Sequence, residues 1–502
     1  MFFYISLVFL TFLFFYYYLK YTYNYWKSQG IPTPERCLPL IGNMWKVVSL
    51  QESFSALCER LYKNESSHSM LGIYQIRTPI LVIRDADLVK KVMLTDFNSF
   101  RNNAINLHQE LDPLFIKNPF YSGIETWKEN RIALTNGFSP RKLQAMFSLI
   151  REVSSKFQKY LDKSLSKNDQ VEFELNELFT KYTSELVMTV GLGIEGYCFD
   201  EKSMTFGKIV TSVFGDSALR GNFSQVILFF FPHIAKLMKV GVVSKEMEVF
   251  LRKLVRDVIN SEGKDTNTRN DFMHIMLEAE KDGIDQETNL TVHFLSFMID
   301  VYESVGNTLS FLGYQLALRP EIQEKARDEI KSVLMNCNGE LTVEACKDLN
   351  YLEQVINESI RFFPDTGTFR KICTYETQLV GYDGLSCLVK PGHVIAISAH
   401  GLHKDPKYWP DPEQFDPDRF SEERKHDLHK FAFLPFGAGP RMCVGMRLAM
   451  LMMKMAMTTI LRNYSLEISP KTKLPLKRDL TKYLTNAKGG IWVFVKPLEK
   501  KF

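Results

Sequence analysis

The stretch Phe436-Gly437-Ala438-Gly439-Pro440-Arg441-Met442-Cys443-Val444-Gly445 places a single cysteine between closely spaced glycines and a long apolar segment. That segment runs from Val444 to about Tyr464 with its few polar residues at near-helical spacing, which predicts a helix starting beside Cys443. A cysteine at a helix start is favoured as a thiolate, because the helix dipole and the free backbone N–H groups stabilise negative charge. The glycines would let the backbone approach a flat, bulky group. The stretch therefore predicts a cysteine that ligates a metal.

Three other interpretations of the same stretch compete with a metal-ligating cysteine. A phosphate-binding loop of the pattern G-x-G-x-x-G would need a glycine where Met442 stands. A zinc site would have His426 and His429 upstream, but the nearest second cysteine is Cys387, which is too far for finger or ribbon spacing. A buried structural cysteine at a helix start fits these ten residues as well as a metal ligand does. The rest of the chain has to decide between these two.

The pattern F-G-x-G-x-R-x-C-x-G resembles the haem-binding loop of the cytochrome P450 superfamily at every fixed position. The resemblance implies haem b, iron protoporphyrin IX, as the cofactor and Cys443 as the axial thiolate ligand of its iron. An axial thiolate pushes electron density onto the iron and favours O–O cleavage. The residues of this loop that the resemblance implies in cofactor binding are Phe436, Gly437, Arg441, Cys443 and Gly445.

Length and composition predict one large catalytic domain over residues 46–502. The chain has 502 residues, of which 45% are hydrophobic and 24% charged, and no internal repeat or long linker divides it. The formal net charge of +4 is spread along the chain without a basic stripe, so we expect no nucleic-acid partner. The eight cysteines lack paired spacing, which indicates free thiols in a reducing compartment.

The N-terminus predicts a single membrane-spanning anchor over residues 1–19. This segment contains no charged residue, and a helix of this length just crosses the hydrocarbon layer of a bilayer. It lacks the basic start and the small-residue cleavage site of a signal peptide, so we expect it to be retained. Lys20 and Lys27 follow the span, which predicts that the catalytic domain faces the cytoplasm. The alternative is a buried apolar helix of a soluble domain.

Residues 20–45 predict a basic, aromatic and proline-rich hinge between anchor and catalytic domain. Tyrosines cluster just after the span, where a membrane interface favours them, and prolines between Ile31 and Pro39 stiffen the chain. The proline segment resembles the hinge of microsomal cytochrome P450 enzymes. The resemblance implies an enzyme anchored in the endoplasmic reticulum membrane.

Helical patterns alternate with a few strand signals along the rest of the chain, which predicts a mainly α fold with small β-sheets. The resemblance implies the cytochrome P450 fold with an N-terminal transmembrane helix. The segments with the strongest strand signals are Leu71 to Ile76, Ile80 to Ile83, Val394 to Ser398 and Gly489 to Val495.

Glu358 and Arg361 lie three residues apart on a helical run that Pro364 ends, so their side chains share one face. On their own they would be read as a surface ion pair. They resemble the E-x-x-R helix of the P450 family, in which an arginine of a later loop, here Arg419, completes a structural triad. Buried charges tolerate burial only when they satisfy one another, so the resemblance implies that the triad supports the fold.

A second group of basic residues resembles the family's contacts with the haem propionates. Trp127 and Arg131 form a W-x-x-x-R pattern, and arginine binds a carboxylate through its planar fork while an indole N–H can support it. Arg441 is another such residue. Arg370 and Lys371 fit the family's remaining basic position in two different registers, and we predict Arg370.

A helix predicted from about Thr291 to Leu318 is apolar nearly all round, which is typical of a buried helix. Unpaired polar side chains on a buried helix would destabilise the fold, so a stripe of them indicates a functional role. A water-facing stripe on a partly exposed helix is the alternative. The stripe consists of Asp300, Glu303, Ser304, Asn307 and Thr308.

The segment Asp300-Val301-Tyr302-Glu303-Ser304 resembles the family's oxygen-binding signature of small residue, glycine, any residue, acid and threonine. The acid is kept at Glu303, and the hydroxyl is kept at Ser304, which can donate and pass protons as threonine would. Serine lacks the methyl that fixes the threonine rotamer. Val301 replaces the glycine that permits local opening of the helix, and Asp300 adds a carboxylate. We predict Ser304, Glu303 and Asp300 as catalytic residues.

A shifted register of this signature would use Gly306 and Thr308, but it loses the acid.

By analogy with the family, substrate should lie between walls from the loop around 102–121 and the region around 218–240. The very apolar run from Val226 to Pro232 is either an entrance that dips into the bilayer or buried core.

The resemblance implies a membrane-anchored haem-thiolate monooxygenase that inserts one atom of O2 into a small apolar substrate. Its electrons would come from an NADPH-dependent flavoprotein reductase, with a cytochrome b-type donor as an additional source, and membrane lipid would contact the anchor. The altered residues Asp300, Val301 and Ser304 motivate a second hypothesis, a P450-like isomerase or dehydratase that rearranges a peroxide without a reductase. A third is a non-catalytic haem-binding protein, against which the proton donors Glu303 and Ser304 argue.

Overall fold

Helices dominate the chain and the β-strands form three small sheets, which confirms the predicted fold class. The computed structural model describes residues 2–34, 37–64, 67–105, 107, 109–200, 227–228, 231–261, 270–280, 285–482 and 484–499.

The α-helices of the described residues include the predicted buried helix and the helix that starts beside Cys443. They are α1 (Phe2–Thr22), α2 (Tyr25–Ser28), α3 (Trp45–Val48), α4 (Phe54–Asn64), α5 (Ala86–Lys90), α6 (Ile124–Gly137), α7 (Pro140–Leu165), α8 (Leu175–Leu186), α9 (Pro232–Met238), α10 (Lys245–Ser261), α11 (Phe272–Ala279), α12 (Gln286–Ile299), α13 (Gly306–Ala317), α14 (Pro320–Asn336), α15 (Ala345–Asp348), α16 (Asn350–Phe362), α17 (Ala399–Leu402) and α18 (Met446–Asn463). Wide π turns span Lys91–Thr95, Val187–Gly191 and Asp300–Val305, and 3-10 turns span Phe97–Ser99, Phe115–Lys117, Pro417–Phe420 and Lys425–Asp427.

The strands include all four predicted ones, with ends displaced by a few residues. They are β1 (Met70–Gln75), β2 (Thr78–Ile83), β3 (Asn102–Asn103), β4 (Val171–Glu174), β5 (Thr368–Ile372), β6 (Thr377–Val380), β7 (Ser386–Val389), β8 (Val394–Ser398), β9 (Tyr464–Ile468) and β10 (Trp492–Pro497).

The largest sheet has the strand order β1-β2-β8-β5-β3. β1 and β2 pair as an antiparallel hairpin, β2 pairs parallel with β8, and β5 pairs antiparallel with both β8 and β3. The pairing sets Asn103 of β3 opposite Lys371 of β5. It therefore brings the loop that follows Arg101 alongside the strand with the two candidate basic residues. The smaller sheets are β4-β10-β9 and β6-β7.

The central helix of the molecule consists of α12, the π turn over Asp300–Val305 and α13. It is buried on nearly all sides from Leu290 to Ala317, as its apolar composition predicts. It packs against α8, α14 and α16, and its π turn also contacts α18, the helix that follows Cys443. The central helix and the cysteine loop are therefore held on opposite sides of one site by direct helix contacts.

The N-terminal helix α1 is long and apolar enough to cross a membrane over Phe3–Thr22, and it lies outside the protein core. The chain that follows α1 is attached to the main sheet. Trp26 is fully buried, its Nε1 donates to the carbonyl of Ile73 at 2.9 Å, and its ring fills the space that a side chain at Gly72 would need. The predicted hinge segment is therefore fixed to β1 at Trp26.

Candidate active site

The cysteine loop is a tight turn that closes on its own backbone. The N–H of Cys443 donates to the carbonyl of Phe436 at 2.9 Å, and the N–H of Met442 donates to that of Gly439 at 3.0 Å. Gly439 has φ +71°, and a Cβ added there would lie 1.9 Å from the carbonyl oxygen of Met93. Only glycine allows this approach. The loop is therefore pressed against the π turn that follows α5.

Gly445 is different, because a Cβ added there would meet no protein atom within 4 Å. Packing against the protein thus does not account for this glycine. The close approach of a flat cofactor to the backbone would account for it.

The Cys443 sulfur lies at the start of α18 and accepts hydrogen bonds from the backbone N–H groups of Gly445 and Met446. The side chain is exposed, yet desolvation and then the charge of Asp300 raise the pKa of the thiol to about 11. A group that is exposed and desolvated at once lines an enclosed cavity. The π turn that bears Asp300 contacts α18, and Asp300 is close enough to act on this pKa, so the central helix borders the same cavity.

Among the described residues, Cys443 belongs to no group of side chains that would form an ordinary protein metal site. Across the described part of the chain, no three His, Cys, Asp or Glu side chains are grouped to hold a metal ion. A structural zinc ion needs four protein ligands, whereas haem iron needs one or two because the macrocycle supplies the others. A coordinated thiol is held as the thiolate by the metal charge, which overcomes the raised pKa. The donor set therefore fits haem.

Basic side chains line the edge of the cavity beside the cysteine loop. The Arg441 guanidinium donates to the carbonyls of Arg101, Pro119 and Ser122 and lies 4.7 Å from the centre of the Trp127 ring. Burial lowers its pKa to about 10. Arg131 donates to the carbonyl of Met442 at 2.6 Å. The structure therefore places Trp127, Arg131 and Arg441 around the cysteine loop.

Lys371 is the third basic residue at this edge. Its Nζ donates to Oδ1 of Asn103 at 2.7 Å, and the side chain is 4% exposed. Burial, and then the charge of Arg441, lower the pKa of Lys371 to about 7. A buried lysine that faces an arginine needs an anion to keep its charge.

These cations lack anionic partners among the residues that the structure describes. Salt bridges from Arg131, Lys371 or Arg441 to a carboxylate are absent there, and the buried Oδ1 of Asn102 and Oγ of Ser122 have no hydrogen-bond partner. Buried charged groups rarely lack an oppositely charged partner, unless a ligand supplies it. The two propionates of haem b would supply the missing carboxylates.

The adjacent residues Arg370 and Lys371 point to opposite faces of β5, as neighbours on a strand must. Arg370 donates to Oε1 of Gln75 at 2.6 Å and lies 4.7 Å from the centre of the Phe54 ring. Lys371, which contacts Asn103 near Arg441, is therefore the candidate at the cavity edge on one face of β5. The role of Arg370 toward a propionate stays a prediction, since Arg370 contacts Gln75 and Phe54 on the other face.

Glu358, Arg361 and Arg419 are brought together and are buried. Arg361 donates through Nε and Nη2 to both carboxylate oxygens of Glu358 at 2.7 and 2.8 Å. The Nε of Arg419 lies 3.6 Å from Glu358 Oε1, and the N–H of Asp416 donates to that oxygen at 2.8 Å. Arg361 also donates to the carbonyl of His403 at 2.8 Å. The cluster ties α16 to the segment that leads into the cysteine loop.

The central helix opens at Asp300–Val305, although Val301 stands where the family has glycine. The π turn widens the helix by one residue, a feature frequent at functional sites. The hydroxyl of Thr183 on α8 donates to the carbonyl of Tyr302 at 3.1 Å. A side chain from a neighbouring helix thus satisfies a carbonyl in the widened turn, so a glycine is not required for the opening.

Asp300 and Glu303 project from the π turn into the cavity. Both are exposed, yet desolvation raises each pKa to about 7, with a further rise from the charge of Asp365. The charge of Lys482 opposes this rise at Glu303. The two carboxyl groups can therefore exchange protons near neutral pH, which is what the predicted relay needs.

Asp365 is a site residue that we did not predict. Its carboxylate accepts hydrogen bonds from the Ser304 hydroxyl and from Asn307 Nδ2, the latter at 3.3 Å, while desolvation raises its pKa. It lies in the segment between α16 and β5. The signal in the sequence was an acid next to Pro364 within a short stretch that joins two recognised motifs.

The predicted substrate walls are described only in part. In the loop around 102–121, the rings of Phe115 and Tyr121 lie 4.4 Å apart and belong to the main hydrophobic cluster. The predicted second wall around 218–240, which includes the apolar run from Val226 to Pro232, is described only at 227–228 and 231–240, where Ile227, Leu228 and Ala235 form a small buried cluster.

Comparisons with known proteins agree with the geometry of the site. The cytochrome P450 family model matches residues 32–494. Probable cytochrome P450 6a19 of Drosophila melanogaster is 30% identical, with 93% of this chain and 94% of that protein covered. Cytochrome P450 9e2 of Blattella germanica is 28% identical, with 94% and 93% covered, and cytochrome P450 6B7 of Helicoverpa armigera is 28% identical, with 96% of each covered. The match extends over nearly the whole chain and includes the cysteine loop, and the chain therefore belongs to the cytochrome P450 family.

Proposed function

We propose that this chain is a membrane-anchored haem-thiolate monooxygenase that receives electrons from an NADPH-dependent flavoprotein reductase and inserts one atom of O2 into a small hydrophobic molecule. Monooxygenase chemistry, haem b and a hydrophobic substrate are properties of the family. The reductase, the endoplasmic reticulum location and the roles of single residues are our proposal.

Bound haem supplies the redox-active iron at which dioxygen is activated. In this chain Cys443 would hold its iron through the sulfur, which accepts hydrogen bonds from the N–H groups of Gly445 and Met446. Arg131, Lys371 and Arg441 would bind the propionates, and Trp127 would pack beside them. The N–H donors beside Cys443 would stabilise negative charge on its sulfur and so favour the thiolate as the ligand.

The opposite wall would supply protons. Glu303 and Asp300 have pKa values of about 7, so each can hold a proton and release it near neutral pH. Ser304 would pass a proton into the cavity, because a hydroxyl accepts and donates at the same atom. The π turn keeps these side chains directed at the cavity.

The observation that carries the proposal is that Cys443 is exposed yet desolvated and lies within electrostatic reach of Asp300, while Arg131, Lys371 and Arg441 nearby have no carboxylate partner among the described residues. A buried structural cysteine would have neither feature. The test is the absorption spectrum of the reduced protein with carbon monoxide, because thiolate ligation shifts the Soret band strongly to the red. We expect the shifted band in the wild type and its loss in Cys443→Ala.

The matched control for that test is Cys337→Ala, which removes a partly buried cysteine from the end of α14. This variant should keep the shifted band. A wild-type protein that binds haem without the shift would overturn the proposed ligand.

A peroxide isomerase or dehydratase is the second candidate. It is favoured by the carboxyl groups of Asp300 and Asp365 on the distal wall, which is the side of the cavity opposite Cys443. The two candidates differ in their need for electrons. We expect product formation from a hydrophobic substrate to require both NADPH and a flavoprotein reductase, with a cytochrome b-type protein as an additional donor. Turnover of a lipid hydroperoxide in the absence of both would establish the second candidate.

The proposed location is the endoplasmic reticulum membrane, with α1 as a single span and the catalytic domain in the cytoplasm. The apolar surface of α1, which carries no charge before Lys20, supports the span. A hydrogen bond of 2.7 Å from Arg77 to the Tyr18 hydroxyl links the end of the span to the β1–β2 turn. Alkaline carbonate extraction of microsomes should leave the chain in the membrane. Protease added outside sealed microsomes should digest the catalytic domain, and full protection would reverse the proposed topology.

A further inference from the structure

Asp365 is held at a fixed place on the distal wall. It follows the end of α16 at Phe362, and its own carbonyl accepts the N–H of Thr485 at 3.2 Å. Its carboxylate faces the first turn of α13, where Asn307 Nδ2 lies 3.3 Å from Oδ1. The same carboxylate accepts the hydroxyl of Ser304. Two elements of the fold therefore meet at one acid.

The partners of Asp365 both need it. Ser304 lacks the methyl group of threonine, so its rotamer is not restricted and its hydroxyl needs a partner to orient it. Asn307 is buried, and a buried amide requires a hydrogen-bond acceptor. Ser304 and Asn307 lie three residues apart on one helix face, so one carboxylate reaches both.

We propose that Asp365 is a positioning residue for proton delivery, which fixes the Ser304 hydroxyl and sets the direction in which its hydrogen points. An ionised carboxylate only accepts, so it turns the Ser304 hydrogen toward itself and away from the cavity. A protonated Asp365 donates to the Ser304 oxygen, so that the Ser304 hydrogen is free to donate into the cavity. The proposal rests on the proposed function, because it concerns the oxygen-facing side of the haem site.

Burial favours a protonated Asp365. Asp300 and Glu303 face it from the π turn, and the charge of Asp365 raises their pKa values. Lys482, from the segment after β9, is the cation that opposes this rise at Glu303. Desolvation raises the pKa of Asp365 more than its two hydrogen bonds lower it. The protonated fraction therefore falls as pH rises, and the Ser304 hydrogen turns away from the cavity.

The test uses the full-length, haem-loaded, reduced protein with carbon monoxide bound, because the C–O stretching band reports hydrogen bonding and charge on the distal side. In the wild type the band should move with pH between about 5.5 and 9 as the distal acids titrate. In Asp365→Asn the amide donates to Ser304 and accepts from Asn307 at every pH. The band should therefore keep the part of the pH shift that Asp300 and Glu303 cause and lose the part that depends on Ser304.

Two further variants make the result decisive. Ser304→Ala keeps Asp365 but removes the hydroxyl that responds to it, and it should lose the same part of the shift. Asp427→Asn changes an exposed acid in a 3-10 turn and should behave as the wild type. A full wild-type shift in either Asp365→Asn or Ser304→Ala overturns the proposal, and Ser304→Ala alone decides if Asp365→Asn fails to bind haem. A wild-type protein that forms no thiolate-ligated carbon monoxide complex would instead overturn the proposed function.

Discussion

The two walls of the cavity carry ionisable side chains of opposite kind, basic on one side and acidic on the other. The free-energy cost of burying them is offset in a different way on each wall. On the cysteine side, Arg131, Lys371 and Arg441 lack carboxylate partners among the described residues, and the haem propionates are the anions that fit them. On the distal side, Asp300, Glu303 and Asp365 form no salt bridge within that same part of the chain, and their pKa values rise instead. One wall needs a cofactor to balance its charge, whereas the other takes up protons. The difference supports the proposal that the first wall binds the cofactor and the second exchanges protons.

The largest effect should come from the buried charges that are fully paired, because they hold the cysteine wall in place. Glu358→Ala leaves Arg361 and Arg419 buried without their carboxylate. We expect a loss of about 3 to 5 kcal/mol in the free energy of unfolding, together with a loss of haem. Urea unfolding followed by tryptophan fluorescence, with the haem content of the purified protein, measures both.

The control for this variant is Glu413→Ala, which removes the exposed partner of Lys404. It should cost less than about 1 kcal/mol. Equal losses in the two variants would show that the buried triad does not support the cysteine wall.

A smaller effect should come from the unpaired cations, and it separates Lys371 from Arg370. Lys371→Ala removes a charge that faces the cavity edge, so we expect haem to leave about 10-fold faster, as loss of a charged hydrogen bond of about 1.5 kcal/mol predicts. Arg370→Ala removes a contact with Gln75 and Phe54 on the other face of β5 and should change the rate less. Transfer of haem to an excess of apomyoglobin measures it. A larger effect in Arg370→Ala would restore the residue that the sequence favoured.

The distal acids should make stability depend on pH in the opposite sense to ordinary salt-bridged carboxylates. Folding raises the pKa values of Asp300 and Glu303 from 3.8 and 4.5 to about 7. Between about pH 4 and 7 the folded chain thus binds more protons than the unfolded chain, and its stability falls as pH rises through this window. Asp300→Asn and Glu303→Gln should each stabilise the protein by about 1 kcal/mol at pH 8, a value that allows for screening by water in the cavity.

Urea unfolding at pH 5.5 and at pH 8 tests this prediction, since the gain should shrink toward the lower pH. A gain of the same size at both values would mean that the variants act through packing. A loss at pH 8 would mean that these acids are ionised and paired in the folded protein.

The sequence predicted the cysteine wall better than the distal wall, for a physical reason. Around Cys443 and in the Glu358–Arg361 helix, the roles depend on residues close together in the chain, so short patterns carry them. Lys371 and Asp365 depend on which strand face and which loop packing bring them to the cavity, and this is settled by contacts with Asn103 and Asn307 far away in sequence. The opening of the central helix depends on a hydroxyl from α8, which no local pattern around Val301 could predict.

The smallest effect should come from Ser304→Thr, and it separates the two ways in which a hydroxyl can be oriented. If Asp365 already fixes the Ser304 rotamer, the added methyl group has little left to do, and leakage of reducing equivalents into hydrogen peroxide should change less than about twofold. In an Asp365→Ala background the same methyl group becomes the only restraint, so Ser304→Thr should then recover part of the coupling that Asp365→Ala loses. The measurement is peroxide formed per NADPH consumed in the four proteins of this double-mutant cycle. Equal effects of the methyl group in both backgrounds would show that Ser304 and Asp365 act independently, and the distal wall would then be three separate acids instead of a coupled proton-exchanging unit.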